Sequence, residues 1–219
     1  MANVMKYFKR KKLNLKIVDK KSVFVDDTVV IGKNVTIYPN NIIKGNTVIK
    51  DNAVILPQNY IVDSVIGEGV NIEYSNVESS EIGSGTHVGP YARLRPNTVI
   101  GENCKIGNFV EIKNSKLGSG TKASHLAYIG DAEIGKDCNI GCGAIFVNYN
   151  GKSKNRSVVG DKCFIGSNVN VIAPVNIADG SYICAGTTIT IDTEPKDFVI
   201  GRARETIKHN YSDKYGKEM

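Results

Sequence analysis

VFVDDTVVIGKNVTIYPNNIIKGNTVIKDNAVI, residues 23–55, places an aliphatic side chain at Val25, Ile31, Ile37, Ile43, Ile49 and Ile55, six positions apart each time. Amphipathic helices repeat at about 3.6 residues and half-buried strands at about 2, so a beat of six fits neither alone. It fits a short strand plus a bend, with three such hexads closing a triangular coil of about 18 residues whose aliphatic side chains stack on the coils above and below. The beat continues through Ile61, resumes at Val88, Leu94, Ile100, Ile106 and Ile112, and returns at Val159, Ile165, Val171, Ile177, Ile183 and Ile189. The chain is therefore expected to be all-β, a parallel β-helix built from hexapeptide repeats. Glycine follows the marker residue at Gly32, Gly67, Gly83, Gly89, Gly101, Gly107, Gly118, Gly130, Gly135, Gly141, Gly160 and Gly166. A tight corner there favours a residue that tolerates unusual φ. From Val25 to Ile191 the repeat makes about nine coils and, at ~4.8 Å per stacked strand, a prism roughly 45 Å long.

Departures from the beat locate the rest of the chain. Steps of five, as from Ile61 to Ile66 or Ile112 to Leu117, trim a corner without ending the helix. The 13-position gap between Phe146 and Val159, which contains NYNGKSKNRS, reads instead as a corner loop spanning 147–158. Long excursions from a rigid scaffold are where function concentrates. The organisation read from the sequence is a basic N-terminal arm over 1–21, a β-helix over 22–192 and a polar C-terminal arm over 193–219.

The net charge of +6 is local: residues 1–21 hold Lys6, Lys9, Arg10, Lys11, Lys12, Lys16, Lys20 and Lys21 against Asp19, or +7, which leaves −1 for the remainder. A basic arm on a near-neutral body reads as a solvated tail, so no nucleic-acid partner is expected. No apolar run long enough for a membrane span is present, nor a signal-peptide core. Cys104, Cys138 and Cys163 each stand two residues before a marker Ile, and with Cys142 and Cys184 they total an odd five without a C-x-x-C pair. They read as small core residues in a reducing cytoplasm rather than as a disulfide framework or zinc knuckle.

Histidine is the side chain that exchanges protons near neutral pH, and His87, His125 and His209 are the three available. They are 38 and 84 residues apart without clustered carboxylates, so no metal site is expected. His125 lies in TKASHLAYIGD, where Ala123 and Ile129 keep the beat and His125 projects outward. Arg95 and Lys113 are 18 residues apart, one full coil, and stack on one face about ~4.8 Å from each other. Two cations so placed repel unless an anion lies between them, which makes a phosphate a reasonable ligand. Lys154 adds a third cation from the loop. Neither a phosphate-binding G-x-x-x-x-G-K-[ST] loop nor a Ser-His-Asp arrangement is present.

The segments VGPYARLRP, IGNFVEIKNSKLGSGTKASHLAYIGDAEIG, NIGCGAIFVNYNGKSK, FIGSNVNVIAPV, AGTTIT and IGRAR appear in an order that generic repeats do not supply. From about Val18 to Arg204 the chain resembles the acetyltransferase half of the bacterial bifunctional N-acetylglucosamine-1-phosphate uridyltransferase and glucosamine-1-phosphate acetyltransferase. The resemblance implies a left-handed helix and a cytoplasmic homotrimer with active sites between subunits. It further implies transfer of an acetyl group from acetyl-CoA to glucosamine-1-phosphate, with no metal required. In that reading His125 is the general base, while Arg95, Lys113, Tyr128, Asn139 and Lys154 contact the sugar phosphate. Cys142, Asn148, Tyr149, Ser167, Ala185 and Arg202 contact the coenzyme. Cys142 stands where the family usually has Ala and Asn150 where it has Asp, and Ala144 and Phe146 also depart. The chain opens where the family's linker would be, which implies a separate uridyltransferase partner. The alternatives are an N-acetyltransferase for another, nucleotide-linked amino sugar, and a non-catalytic scaffold subunit.

Overall fold

The computed structural model describes residues 14–209 and 211. Most of the basic arm and the last residues of the C-terminal arm lie outside them. Every element among the described residues is a strand of two to four residues, and all named strand pairs are parallel. Three sheets form the faces of a triangular prism. Sheet A has 11 strands, from Lys16–Ile17 to Phe198–Val199; sheet B has 10, from Phe24–Val25 to Thr188–Ile189; sheet C has nine, from Val30–Ile31 to Val175–Ile177. Successive strands pass from A to B to C and pairing joins every third strand, except that the last, Phe198–Val199, pairs with Tyr182–Ile183 two strands before it; the result is the parallel β-helix that the hexad implied, in the left-handed form that the resemblance implied. The prism has about ten coils rather than nine, because strands pair at Lys16–Ile17 and Phe198–Val199, outside the 22–192 span read from the repeat.

Marker residues point inward and stack as one continuous core. Ile37, Ile55, Ile72, Val88, Ile106, Ala123, Ile140, Ile165 and Ile183 form its sheet A column, and all are buried. Because each coil is too thin to bury its own apolar edge, burial of each marker depends on its neighbours above and below. Stacked aromatics extend this outside the core: Tyr91 and Phe109 lie 5.6 Å apart at the A–B corner, and Phe164, Tyr182 and Phe198 follow one another at 4.5 and 5.1 Å on the outer face of sheet A.

The corners work differently from the sequence expectation. Of the twelve glycines that follow a marker, only Gly89 has positive φ. The others are there because coils approach closely: a Cβ on Gly101 would lie 2.5 Å from the Ser119 nitrogen, and one on Gly118 would lie 2.6 Å from the Gly135 carbonyl carbon. The left-handed position lies two residues further on and is commonly Asn, as at Asn34, Asn52, Asn103 and Asn168 with φ between 54° and 61°. Asparagine adopts that region at least cost after glycine.

Three of the four buried cysteines belong to a column at the C–A corner that runs Thr86, Cys104, Thr121, Cys138, Cys163, Ser181, while Cys184 is buried at the A–B corner. Each small side chain reaches a corner carbonyl: Thr86 Oγ1 donates to Gly101 O at 2.8 Å, Cys104 Sγ to Gly118 O at 3.2 Å, Thr121 Oγ1 to Gly135 O at 2.7 Å and Cys138 Sγ to Gly160 O at 3.0 Å. Thiol and hydroxyl thus do the same work. All five cysteines are free, and Cys142 is exposed.

Candidate active site

Along the A–B corner, successive coils present His125, Cys142, Ser167, Ala185 and Arg202. Backbone bonds tie them in sequence: Gly143 N–H donates to Leu126 O, Asn168 N–H to Cys142 O and Gly186 N–H to Ser167 O, each at 2.8 Å, and the Arg202 guanidinium reaches Ala185 O at 3.2 Å. All five side chains are exposed. At ~4.8 Å per coil the column is about 19 Å long. Its corner residues are small, with Gly143 and Gly186 at φ 74° and 72°, so an extended ligand can lie close against the backbone. A ligand lying along this column would meet a guanidinium at one end and the histidine at the other.

His125 ends its sheet A strand, Lys122–His125, in register with Asn108 one coil earlier. Its Nδ1 lies 2.8 Å from Asn108 Oδ1. With that oxygen accepting, Nδ1 carries the ring proton and Nε2 presents its lone pair to solvent, the tautomer needed for a general base. His87 is elsewhere, with Nε2 3.5 Å from Glu73, and no group of three or more potential metal ligands occurs among the described residues.

The cations converge at the next corner, B–C. Arg95, Pro96, Asn97, Lys113, Asn114, Asp131 and Lys154 line an open cavity of about 350 Å³. Arg95 N–H donates to Ile112 O at 2.8 Å, so Arg95 and Lys113 stand on adjacent coils as the 18-residue spacing required. Their mutual repulsion is already relieved from within the chain: Arg95 is 2.9 Å from Glu111 and Lys113 is 3.8 Å from Asp131. Lys154, joined by burial, presses the Lys113 ammonium below its ordinary pKa of 10.5, against the pull of Asp131. Tyr128 also leans toward this corner. A Cβ on Gly130 would lie 2.6 Å from the Tyr128 hydroxyl, and Gly130 pairs with Lys113, so the missing side chain makes room for the phenol beside the cations.

The corner loop reaches the cavity from sheet B. Asn155 N–H donates to Asn148 O at 2.7 Å and an antiparallel bridge joins Tyr149 to Lys154, which turns the Lys154 backbone back toward the prism. The departures at Asn150, Ala144 and Phe146 acquire structural roles. Asn150 Oδ1 accepts from Ser153 N–H at 2.8 Å and Lys152 N–H at 3.0 Å, an Asx turn that Asp also forms, while Ala144 and Phe146 are fully buried.

Asn108, Glu111, Asn114 and Asp131 were not singled out in the sequence. The coil spacing that paired Arg95 with Lys113 also brings Asn108 beside His125 when shortened by one residue. Within one chain the expected site residues therefore divide. His125, Cys142, Ser167, Ala185 and Arg202 are on one corner; Arg95, Lys113, Tyr128, Asn148 and Lys154 are at the next; Asn139 is on the outer face of sheet A, paired with Lys122 and Phe164, and Tyr149 is exposed on the loop.

Residues 79–114 and 156–190 match the bacterial transferase hexapeptide family, described as six repeats. The chain is 48% identical over 200 residues to the bifunctional protein GlmU of Clostridium beijerinckii, covering 91% of this chain and 44% of that protein. It is 51% identical over 197 residues to the bifunctional protein GlmU of Caldicellulosiruptor saccharolyticus, covering 90% and 42%. It thus spans less than half the length of these relatives. Among solved structures, an Arabidopsis UDP-N-acetylglucosamine acyltransferase shares the fold with a TM-score of 0.58 at 19% identity, over 81% of this chain and 69% of that one.

Proposed function

We propose that the chain, which carries hexapeptide repeats matched over residues 79–114 and 156–190 and matches the bifunctional GlmU proteins in a way consistent with their C-terminal acetyltransferase half, transfers an acetyl group from acetyl-CoA to the amine of glucosamine-1-phosphate. The convergence of Arg95, Lys113 and Lys154 on one open cavity carries the choice of acceptor. Three cations against Glu111 and Asp131 leave one net positive charge where a phosphate dianion would enter, and Arg95 offers it a fork of N–H donors.

The chemistry follows from the division of the site. His125 Nε2 accepts a proton from the amine as its nitrogen attacks the thioester carbonyl. The tetrahedral adduct collapses with cleavage of the C–S bond, and the departing thiolate takes the proton back from the imidazolium. Positioning supplies the rest of the acceleration. Because the coenzyme column and the phosphate cavity occupy different corners of one prism, a complete site requires two copies of the chain, one presenting its A–B corner to the B–C corner of the other. A closed trimer meets this requirement three times over. A uridyltransferase activity would consume the product, and the reaction would take place in the cytoplasm.

Release of coenzyme A thiol, followed with a panel of amino sugars with and without a 1-phosphate, tests the reading. Glucosamine-1-phosphate should be the best acceptor, and His125→Ala should lower its turnover by roughly a hundredfold or more while the oligomer stays intact. Equal rates for glucosamine and its 1-phosphate, or undiminished turnover in the variant, would overturn it.

A further inference from the structure

Asp131 is the one carboxylate among the described residues that touches both the cation cluster and the corner loop. It is 6% exposed and held at φ +49°. Its N–H donates to Lys113 O at 3.0 Å and its carbonyl accepts from Ser157 N–H at 3.3 Å, so its backbone is fixed on both sides. Its carboxylate accepts one short hydrogen bond from the Asn114 side-chain amide and another from that of Asn148, and it faces the Lys113 ammonium at 3.8 Å. Asn148, 8% exposed, is the root of the loop that presents Tyr149 and Lys154.

A carboxylate withdrawn from water is costly unless donors surround it. Asp131 stays ionised because the two amides, Lys113 and Lys154 together outweigh a burial that would raise its pKa. An apolar residue would fill this space more cheaply, so the retained charge requires a reason. Relief of the repulsion among the cations is only part of it, because the same negative charge beside Arg95, Lys113 and Lys154 weakens their attraction for an anion.

We propose that Asp131 is a positioning residue that locks the base of the 148–155 loop to Lys113, so that the acceptor's phosphate meets Lys113 and Lys154 in a single preformed geometry. The inference rests on the acetyltransferase reading and deepens it. It reverses the effect expected from charge alone: removing the negative charge should weaken acceptor binding, not strengthen it.

The test is steady-state kinetics of the full chain with glucosamine-1-phosphate and with glucosamine. Asp131→Asn keeps the shape but loses the charge that faces Lys113; it keeps one of the two side-chain bonds as it stands and the second only if a facing amide turns over. It should raise KM for the 1-phosphate roughly tenfold to a hundredfold, the worth of a charged hydrogen bond, with a smaller change in kcat and little change for glucosamine. The alkaline limb of the phosphate-acceptor profile should also move to lower pH, since Lys113 loses the neighbour that raises its pKa. The exchange Asp131→Asn with Asn148→Asp restores a carboxylate–amide pair with the roles reversed and should recover at least part of the loss. A lower KM in Asp131→Asn, or no rescue by the exchange, would overturn the proposal. If Asp131→Asn does not fold, Asn148→Ala, which cuts the same contact from the loop side, must reproduce the selective rise in KM, and failure to do so overturns the proposal equally. Absence of wild-type activity on every amino-sugar phosphate would remove the functional reading itself, a separate outcome.

Discussion

Asn108 gives His125 its direction. Imidazole on an exposed corner rotates freely unless one nitrogen is held, and the 2.8 Å contact to Asn108 holds Nδ1. Asn108→Ala should lower kcat about tenfold, the worth of a hydrogen bond of ~1.4 kcal/mol, and leave KM for both substrates within about twofold; a kinetic comparison at saturating coenzyme reads the split. At this scale the sequence was legible wherever a residue sat on the beat. Ile, Val and Leu markers were assigned inward and, apart from the half-buried Val25 in the first coil, are buried, and His125 was assigned outward and is exposed. The glycines were placed correctly but for the wrong reason, because a one-dimensional spacing shows where a corner falls without showing that the next coil's backbone presses on it. Asp131 escaped notice for a related cause: its side chain leaves the backbone at positive φ, and periodicity assigns inward and outward only for extended residues.

The corner loop has its own electrostatic signature. Asp131, at its base, titrates below its ordinary 3.8, and so do the carboxylates of Asp19 and Asp192 at other corners. A carboxylate depressed on folding adds stability above its unfolded pKa and loses it as pH falls through the folded value. Wild type should therefore melt roughly 3–6 °C above Asp131→Asn at pH 7. The difference should hold down to about pH 5 and shrink below 3.8, where the unfolded carboxylate is protonated first. Calorimetric melts of both proteins across that range check the sign; a gap that widens in acid contradicts it. The loop itself was recognised as the long gap in the beat, yet its approach to Lys113 was not legible. Its fold depends on the Asn148–Asn155 and Tyr149–Lys154 closures, which no repeat encodes. The 25 residues from Cys142 to Ser167 similarly hide a one-coil step lengthened by the insertion, so the alignment of His125, Cys142, Ser167, Ala185 and Arg202 on one corner was not legible from spacing.

A stack of near-identical coils has a stability that grows by units. Each contributes its own ordering cost and an interface with its neighbour. Deleting residues 33–50 removes one 18-residue coil and joins Gly32 to Asp51, giving VVIGDNAVI in place of VVIGKNVTI with the beat unbroken. All expected site residues lie at Arg95 or beyond. The shortened chain should keep its β-sheet circular dichroism and its oligomer, retain acetyl transfer within about twofold, and unfold at lower denaturant with a smaller m-value, since m follows the surface exposed. Collapse of the fold would show that these coils are not interchangeable.

The spacing of the ladder also sets the order in which the chain can wind. Paired strand residues are 16 to 20 positions apart from Lys16 to Val199, except where the loop intervenes, at Ala132 and Ser157, Asn139 and Phe164, and Ile145 and Asn170, which are 25 apart. A strand leaving the ribosome therefore finds its partner as soon as one more coil has emerged, whatever the final length of the solenoid. Contact order stays low and constant while the prism lengthens. Winding meets one pause, at the insertion, where three successive strands must wait for seven or eight additional residues. The excursion that completes the cation-lined cavity is thus also the slowest stretch of the helix to close during synthesis.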